Sequence, residues 1–573
     1  MNWRPGHVWA PHAEAVSLVS DRGRTALERY NGGWWRADVE LGIGERYGFV
    51  LGDDDRVLPD PWSRWQPDGV FDLSAVDDPD RHRWMSEAPR TAWSDAVVYE
   101  LHVGTFTPAG TFSGVADRLD HLVELGVTHL ELMPVGAWDG RWGWGYDGVA
   151  WWSPHPGYGS PEHLRHLIDR CHGAGLRVML DVVSNHLGPS GAILDRFGPY
   201  TGEASTPWGQ AINLDGPDSD PVRSALLDNA MMWLRDYRFD GLRLDAVHAM
   251  FDASPTPFVA QLAAEVELLG TTGGRGLDIV AEWDRHDPTP VLGRSEHGWG
   301  LAAHWADDLH HALHVTLTGE SAGYYADAAA DADRVKTAME QVYQPRVVTG
   351  DPASELSARG ITRDHFVVCA QNHDQIGNRP RGERLVELAG VDAAMAAATV
   401  VLLGPSIPLL FQGEEWGTAV RFPFFSDFTD PSLAKAITEG RRRELAELEW
   451  DDVADPCDPE TFMSARLNWD ELVQGSIHGE VNEWYRALID LRRRFIDPRS
   501  IDEVTAEMQG GRLTWTIGRL TASVNLGASS APLEPTFVRP TVSRRILDNS
   551  GAPALDRWGV AVTITEMPPV HHR

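Results

Sequence analysis

From about Ala96 onward, short apolar runs alternate with longer stretches in which apolar residues recur every three or four positions. Runs bounded by turn residues predict buried strands, and the helical spacing predicts crossover helices, the pattern of repeated βα units around a parallel sheet. The candidate strands are Val97–Thr105, His129–Pro134, Leu176–Asp181, Gly241–Asp245, Asp278–Glu282, Trp305–Val315, Phe366–Gln371 and Ile407–Glu414. Eight such strands predict an α/β fold closed into a (β/α)8 TIM barrel. Between them, Leu164, Leu167, Ile168 and Cys171 share one helical face, as do Val222, Leu226, Met231 and Leu234 after an Asp220-Pro221 start signal. Trp484, Leu488, Leu491 and Phe495 mark a last helix.

The periodicity is different at both ends. Tyr47, Phe49 and Leu51 alternate with Gly48 and Val50, and Gly32-Gly33 and Gly42 to Gly44 supply turns. With Val16, Leu18 and Trp34-Trp35 they predict a small N-terminal β-sandwich domain over residues 1–92, immunoglobulin-like and of the carbohydrate-binding-module kind. Asp60-Pro61 and Gln66-Pro67-Asp68-Gly69 punctuate a loop leading away from it. The barrel is expected over 93–498. Leu513, Trp515 and Ile517 alternate with polar partners and predict a C-terminal β domain over 499–573.

Composition narrows the function classes. The 573 residues are 42% hydrophobic and 23% charged, which excludes a disordered, collagen-like or coiled-coil chain. The net charge of −34 repels phosphate backbones and anionic headgroups, so neither nucleic acid nor a membrane surface is expected as a partner. Nearly all basic residues are Arg, with Lys only at Lys336 and Lys435. Cys171, Cys369 and Cys457 lack metal-site or redox-motif spacing and are expected as reduced core residues. Met1 to Pro11 has no basic segment followed by an apolar run, so the expected location is cytoplasmic. The uncharged run from Ala393 to Phe411 is broken by Gly404, Pro405 and Pro408, which predicts a buried helix and strand instead of a membrane span. The 24 tryptophans offer flat apolar faces suited to sugar rings, although core packing accounts for most tryptophans in most proteins.

The polar residues at the predicted strand ends carry the chemistry: Asp181, Asn185 and His186; Arg243 and Asp245; Glu282; His373 and Asp374. A lone strand-end Asp more often caps a helix or pins a loop. Several carboxylates and histidines converging on one face are what a barrel enzyme requires, because its active site forms at the carboxy ends of the strands. Arg243 lies two residues before Asp245, so both side chains share a face and the guanidinium favours an ionised carboxylate, as a nucleophile needs. Glu282 ends an apolar run and precedes Trp283, a setting expected to raise its pKa toward that of a general acid.

These segments resemble four sequence regions of the α-amylase superfamily of glycoside hydrolases: Asp181-Val-Val-Ser-Asn-His186, Gly241-Leu-Arg-Leu-Asp245, Ala281-Glu282 and Asn372-His373-Asp374. Asp181, Asp245, Glu282 and Asp374 follow in family order at separations of 64, 37 and 92 residues. The resemblance implies a retaining mechanism with Asp245 as nucleophile, Glu282 as acid and base, and Asp374 as transition-state stabiliser. It also implies substrate contacts from Arg243, His186, His373, Tyr146 and Asp181.

A narrower likeness is carried by Gln371-Asn-His-Asp-Gln-Ile-Gly-Asn-Arg379, Arg381-Gly-Glu-Arg-Leu385, Asp245-Ala-Val-His-Ala249, Trp305-Ala-Asp-Asp-Leu-His-His311, Pro59 to Gly69, Phe411 to Gly417, and Glu439-Gly-Arg-Arg-Arg443 through Phe462. These resemble the malto-oligosyltrehalose trehalohydrolases. The implied substrate is malto-oligosyltrehalose, cut at the α-1,4 bond beside its terminal trehalose, and the implied pathway partner is malto-oligosyltrehalose synthase. Candidates for the trehalose side are His248, Asp308, His311, Gln375, Asn378 and Arg379, about half of them expected to brace loops instead. Trp283, Leu242 and Gln412 depart from the family's usual residues without touching a catalytic carboxylate. Asn185 helps bind calcium in some relatives, but the sequence offers no all-oxygen ligand set, so no cofactor or metal is expected. Two alternatives are a glycogen branching or debranching enzyme of the same superfamily and a non-catalytic glucan-binding protein. The long Gln371–Leu385 match disfavours the first, and the intact carboxylate set disfavours the second.

Overall fold

The computed structural model describes residues 4–343, 356, 359–446, 452–500, 504–533, 542–549 and 552–565. Eight parallel strands close into a barrel: β1 (Val98–Leu101), β2 (His129–Leu132), β3 (Arg177–Val182), β4 (Gly241–Leu244), β5 (Asp278–Ala281), β6 (Ala303–Trp305), β7 (Phe366–Cys369) and β8 (Ile407–Phe411). Each pairs with its sequence neighbours, and closure is made where Leu409 of β8 lies opposite Val98 of β1. Such a barrel has no free edge, so every strand is covered by helices outside and side chains inside.

The helices form where the apolar spacing places them. Ser160 caps the helix Pro161–Gly173, Pro161 stands at its first turn, and Leu164, Leu167, Ile168 and Cys171 form its buried face. The helices Ser219–Asp236 and Ile477–Phe495 bury Val222, Leu226 and Leu234, and Trp484, Leu488 and Leu491, respectively. The run from Ala393 to Phe411 divides into the helix Val391–Leu402 and strand β8. Among the described residues no helix is long and apolar enough to cross a membrane.

One predicted strand is wrong. Of Trp305–Val315 only Trp305 belongs to a strand, β6, and Asp308–Thr318 is a helix. Leu309, Ala312 and Leu313 are buried at helical spacing, and the link Ala306-Asp307 is only two residues long, so the helix begins where a longer strand was expected. Likewise β1 ends at Leu101 and Val103–Phe106 is a helical turn.

Ahead of the barrel stand two antiparallel sheets. One orders His7–Trp9, Trp34–Arg36 and Glu28–Tyr30, the other Gly23–Ala26, Val16–Ser20, Arg46–Leu51 and Ser74–Ala75. Trp62, in the loop between Arg46–Leu51 and Ser74–Ala75, stacks on Trp152 with 5.5 Å between ring centroids, and its Nε1 donates to the Tyr200 hydroxyl at 2.8 Å. Trp62 thus fastens this region to the barrel. Beyond it, Thr505–Gln509, Arg512–Ile517, Leu520–Asn525, Ala531–Pro532 and Ala552–Ile564 form an antiparallel sheet, with Val542–Asn549 paired to Ala552–Ile564. Leu513, Trp515 and Ile517 are among its buried positions, and Trp515 Nε1 donates to Leu403 O at 2.9 Å. The three cysteines form no disulfide; Cys171 and Cys369 are buried and Cys457 is half-buried.

Candidate active site

The barrel's carboxy-terminal face gathers the polar residues on successive strands. Asp181 of β3 and Arg243 of β4 are register partners, so their side chains meet inside the barrel. Past the strand ends the backbone pairing continues: Asp245 N–H donates to Val182 O at 3.1 Å, and Glu282 N–H to Leu244 O at 2.9 Å. These bonds fix both carboxylates on the rim. Immediately afterwards Ala246 adopts φ +40°, a left-handed conformation costly for a residue with a Cβ. Its N–H is thereby aimed at Glu282 Oε2, 2.8 Å away.

Arg243 is fully buried and organises the floor. Its Nη1 donates to Asp181 Oδ2 at 2.8 Å and to Asp245 Oδ1 at 2.9 Å, and its Nη2 to Glu282 Oε2 at 2.8 Å. Its Cζ lies 4.2 Å from the Trp305 ring centroid, so the cation is also held from an aromatic face. Asp181 nonetheless has its pKa pushed up to about 7, because burial outweighs the pull of Arg243. The apolar setting expected for Glu282 is absent, since Arg243 and the Ala246 N–H both serve its carboxylate. Trp283 instead packs edge-on to Trp299, 4.8 Å between centroids.

A second chain of contacts runs along the opposite wall. Asn372 caps the short helix His373–Gly377 and accepts from the Asp374 N–H at 2.9 Å, which presents His373 and Asp374 at the end of β7. The Tyr146 hydroxyl donates to Asp181 Oδ2 at 2.7 Å and lies 2.7 Å from His373 Nε2, and its ring stacks on the imidazole at 5.3 Å. Burial opposes charge on His373, but Glu100 and Asp374 outweigh it and raise its pKa to about 10. His186 is buried and stays neutral, lowered to about 4 by desolvation. Asn185 Nδ2 donates to Asp245 Oδ2 at 2.8 Å, so here its amide meets the candidate nucleophile.

Above these groups opens a cleft of about 560 Å³ lined by Tyr146, His186, Asp245, Glu282, Asp374 and Asn378, among others. Asp181, Arg243 and His373 lie beneath it and touch its lining residues. The other trehalose-side candidates do not line it. Arg379 makes a two-pronged ion pair with Glu320 at 2.7 and 3.0 Å, and Gln375 closes the capping box of its own helix. His311 packs against Tyr324 and Tyr325, Asp308 lies 3.5 Å from His286, and His248 lies 3.6 Å from Asp284. These five positions make their contacts outside the cleft lining.

The cleft also contains residues that sequence reasoning did not single out. Trp208 is half exposed at its mouth and stacks on His186 at 5.6 Å. The helix Pro431–Ala446 supplies one wall, with Gly440, Arg441 and Glu444 facing the cleft, and Arg441 Nη2 donates to Asn378 Oδ1 at 3.1 Å. Arg441 lies within the quoted segment Glu439–Arg443, so the family likeness contained that signal. Trp208 lies in none of the quoted motifs.

Residues 57–202 match the family Alpha-amylase, described as alpha amylase, catalytic domain. The chain is 44% identical to the malto-oligosyltrehalose trehalohydrolase of Arthrobacter ramosus, with 91% of this chain and 92% of that protein covered. It is 43% identical to that of Rhizobium sp. (strain M-11), covering 85% and 84%. A crystal structure titled as a putative alpha amylase from Salmonella typhimurium superposes with a TM-score of 0.87, 34% identity and 99% of both chains covered. The likeness to the 1,4-alpha-glucan branching enzyme GlgB of Rhodospirillum rubrum is narrower, 34% over 42% of this chain and 37% of that enzyme.

Proposed function

This chain belongs to the malto-oligosyltrehalose trehalohydrolases of the α-amylase superfamily, and on that premise we propose how its own residues cleave the α-1,4 bond beside a terminal trehalose. The substrate is malto-oligosyltrehalose and the products are trehalose and a shortened malto-oligosaccharide. Asp245 attacks the anomeric carbon while Glu282 protonates the departing glycosidic oxygen, which leaves with the trehalose unit. Glu282, now a carboxylate, takes a proton from the water that hydrolyses the glycosyl-enzyme. Two displacements at one carbon give net retention of the α configuration.

The observation that carries this reading is the placement of Asp245 and Glu282 on the two terminal nitrogens of one guanidinium, Arg243. Two carboxyls anchored on one guanidinium beside the same cleft suit attack by one and proton transfer by the other. Arg243 and Asn185 hold and aim the Asp245 carboxylate. Asp374, on the same cleft, binds the hydroxyls of the reacting sugar and favours the oxocarbenium-like transition state. His186, His373 and Tyr146 complete that subsite. Asn378, with Arg441 behind it, stands on the leaving-group side.

A partner that converts the reducing end of a malto-oligosaccharide to trehalose, a malto-oligosyltrehalose synthase, supplies the substrate, and the setting is cytoplasmic. The branching-enzyme alternative is not favoured, since that likeness covers less than half the chain. NMR of freshly released maltotriose tests the mechanism: its new reducing end appears first as the α anomer, and initial release of the β anomer would overturn it.

A further inference from the structure

Glu100 belongs to no motif discussed above, yet it touches the candidate site directly. It lies on β1, inside the barrel, and is 1% exposed. Its carboxylate accepts the His373 backbone N–H at 3.1 Å and the His373 ring N–H at Nδ1. Both atoms of His373 that could set its position and its tautomer therefore end on one carboxylate. With Nδ1–H committed to Glu100, the remaining ring nitrogen, Nε2, faces the Tyr146 hydroxyl at 2.7 Å, and that hydroxyl donates onward to Asp181. Asp181 in turn shares Arg243 with Asp245 and Glu282. An unbroken line of contacts thus runs from the barrel interior to the two reacting carboxylates.

We propose that Glu100 is a positioning residue for the reaction assigned above: it holds His373 as an imidazolium whose Nε2–H donates to Tyr146, and so fixes the direction of every bond in that line. The direction follows from donor and acceptor counting. A Tyr146 oxygen that accepts from His373 must turn its own proton to Asp181, leaving Asp181 to accept from both Tyr146 and Arg243. A neutral ring with a bare Nε2 would draw the Tyr146 proton to itself and take a donor away from Asp181.

Burial and Arg243 oppose a charge on His373, and Glu100 and Asp374 outweigh them. From β1 comes Glu100, from its own turn Asp374, from β4 Arg243 and from β3 Asp181. His102 follows β1, and Tyr146 comes from the loop before β3. Glu131 of β2, the register partner of Glu100, is also buried, and desolvation followed by the Glu100 and Asp181 charges pushes its pKa well up. Glu100 is thus the carboxylate in contact with the imidazolium at its inner side.

The proposal depends on the functional reading for its substrate but not for its protonation state, so two measurements separate them. In wild-type enzyme with 15N-labelled histidine, the ring signals lost in H373Q should show both nitrogens protonated at pH 8. In E100Q the same ring should titrate at least two pH units lower. Its kcat/KM on maltotriosyltrehalose should fall about tenfold to hundredfold at pH 8 and recover as the pH is lowered, while E100D regains part of the loss. A neutral His373 in the wild-type protein at pH 8 overturns the proposal even if E100Q does not fold. So does a folded E100Q whose ring titration and pH profile match wild type, since a merely structural Glu100 would lower activity at every pH alike. Failure of the wild-type enzyme to release trehalose would defeat the functional reading instead, leaving Glu100 to be judged by the ring titration.

Discussion

Arg243 Nη2 lies 2.8 Å from Glu282 Oε2, on the same guanidinium whose Nη1 binds Asp245. The group assigned as acid and the group assigned as nucleophile are therefore spaced by one planar cation. That cation makes three charge-assisted bonds in a buried site, where such bonds are short and strong. The spacing of the catalytic pair is a property of arginine's fork as much as of the strands.

Lysine cannot reproduce that fork, because an ammonium is a point charge without planar geometry. Arg243→Lys should fold but lose about a hundredfold to a thousandfold in kcat, with a smaller change in KM. Steady-state kinetics alongside thermal melting checks this. Arg243→Ala, which strands buried carboxylates, should instead lose about 3–5 kcal/mol of stability.

Asp245→Asn and Glu282→Gln change shape very little and remove the nucleophile and the proton donor. Each should lower kcat by at least about a thousandfold with folding preserved by circular dichroism. Substantial residual hydrolysis by either variant would reassign the roles.

The buried histidines should pull stability down in mild acid, while Asp147, Asp181, Asp307 and Glu414, raised by burial to about 6, 7, 7 and 8, pull the other way. His102, His129, His155, His186, His304 and His310 are all buried, and desolvation lowers each of them, His102 and His129 to about 3 and His155, His186 and His304 to about 4. Unfolding returns them to the ordinary value of 6.5, so the unfolded chain binds more protons below that pH. Their contribution is fully present above pH 6.5 and lost as pH falls toward 4, at up to about 1.4 kcal/mol per pH unit per histidine. Urea midpoints measured across pH 4–7 for wild type and His129→Gln should differ by the slope of that one histidine, and parallel profiles would contradict it.

Trp208 and Arg379 should part ways under mutation. Trp208 is half exposed on the cleft, so Trp208→Ala should raise KM about threefold to tenfold, the scale of one stacking contact, with little change in melting temperature. Arg379→Ala breaks a partly buried two-pronged pair with Glu320 and should lower the melting temperature while leaving KM nearly unchanged. A rise in KM for the Arg379 variant would restore it to the substrate-binding set.

The barrel was legible because its strands are continuous apolar runs ending in polar residues, and Asp181, Arg243, Asp245, Glu282 and Asp374 stand where those runs stop. Trp305–Val315 was misread because a two-residue link separates strand from helix and both are apolar. Glu100 escaped notice because it lies inside the predicted strand Val97–Thr105 and not at its end, and its partner His373 is 273 residues away. Gln375 and Arg379 carry family motifs, but only the fold shows that one caps its own helix and the other pairs with Glu320. Trp208 reaches the cleft through a hairpin, Thr201–Thr206 with Gly209–Ile212, whose local sequence carries no sign of its destination.

The central claim is that this cleft recognises trehalose on its leaving-group side, and the direct test is to compare maltotriosyltrehalose with maltopentaose at matched concentration and identify the products. Rapid release of trehalose and maltotriose, with little attack on maltopentaose, is the predicted result. Comparable cleavage of maltopentaose, or transfer of its chain to another glucan, would contradict it.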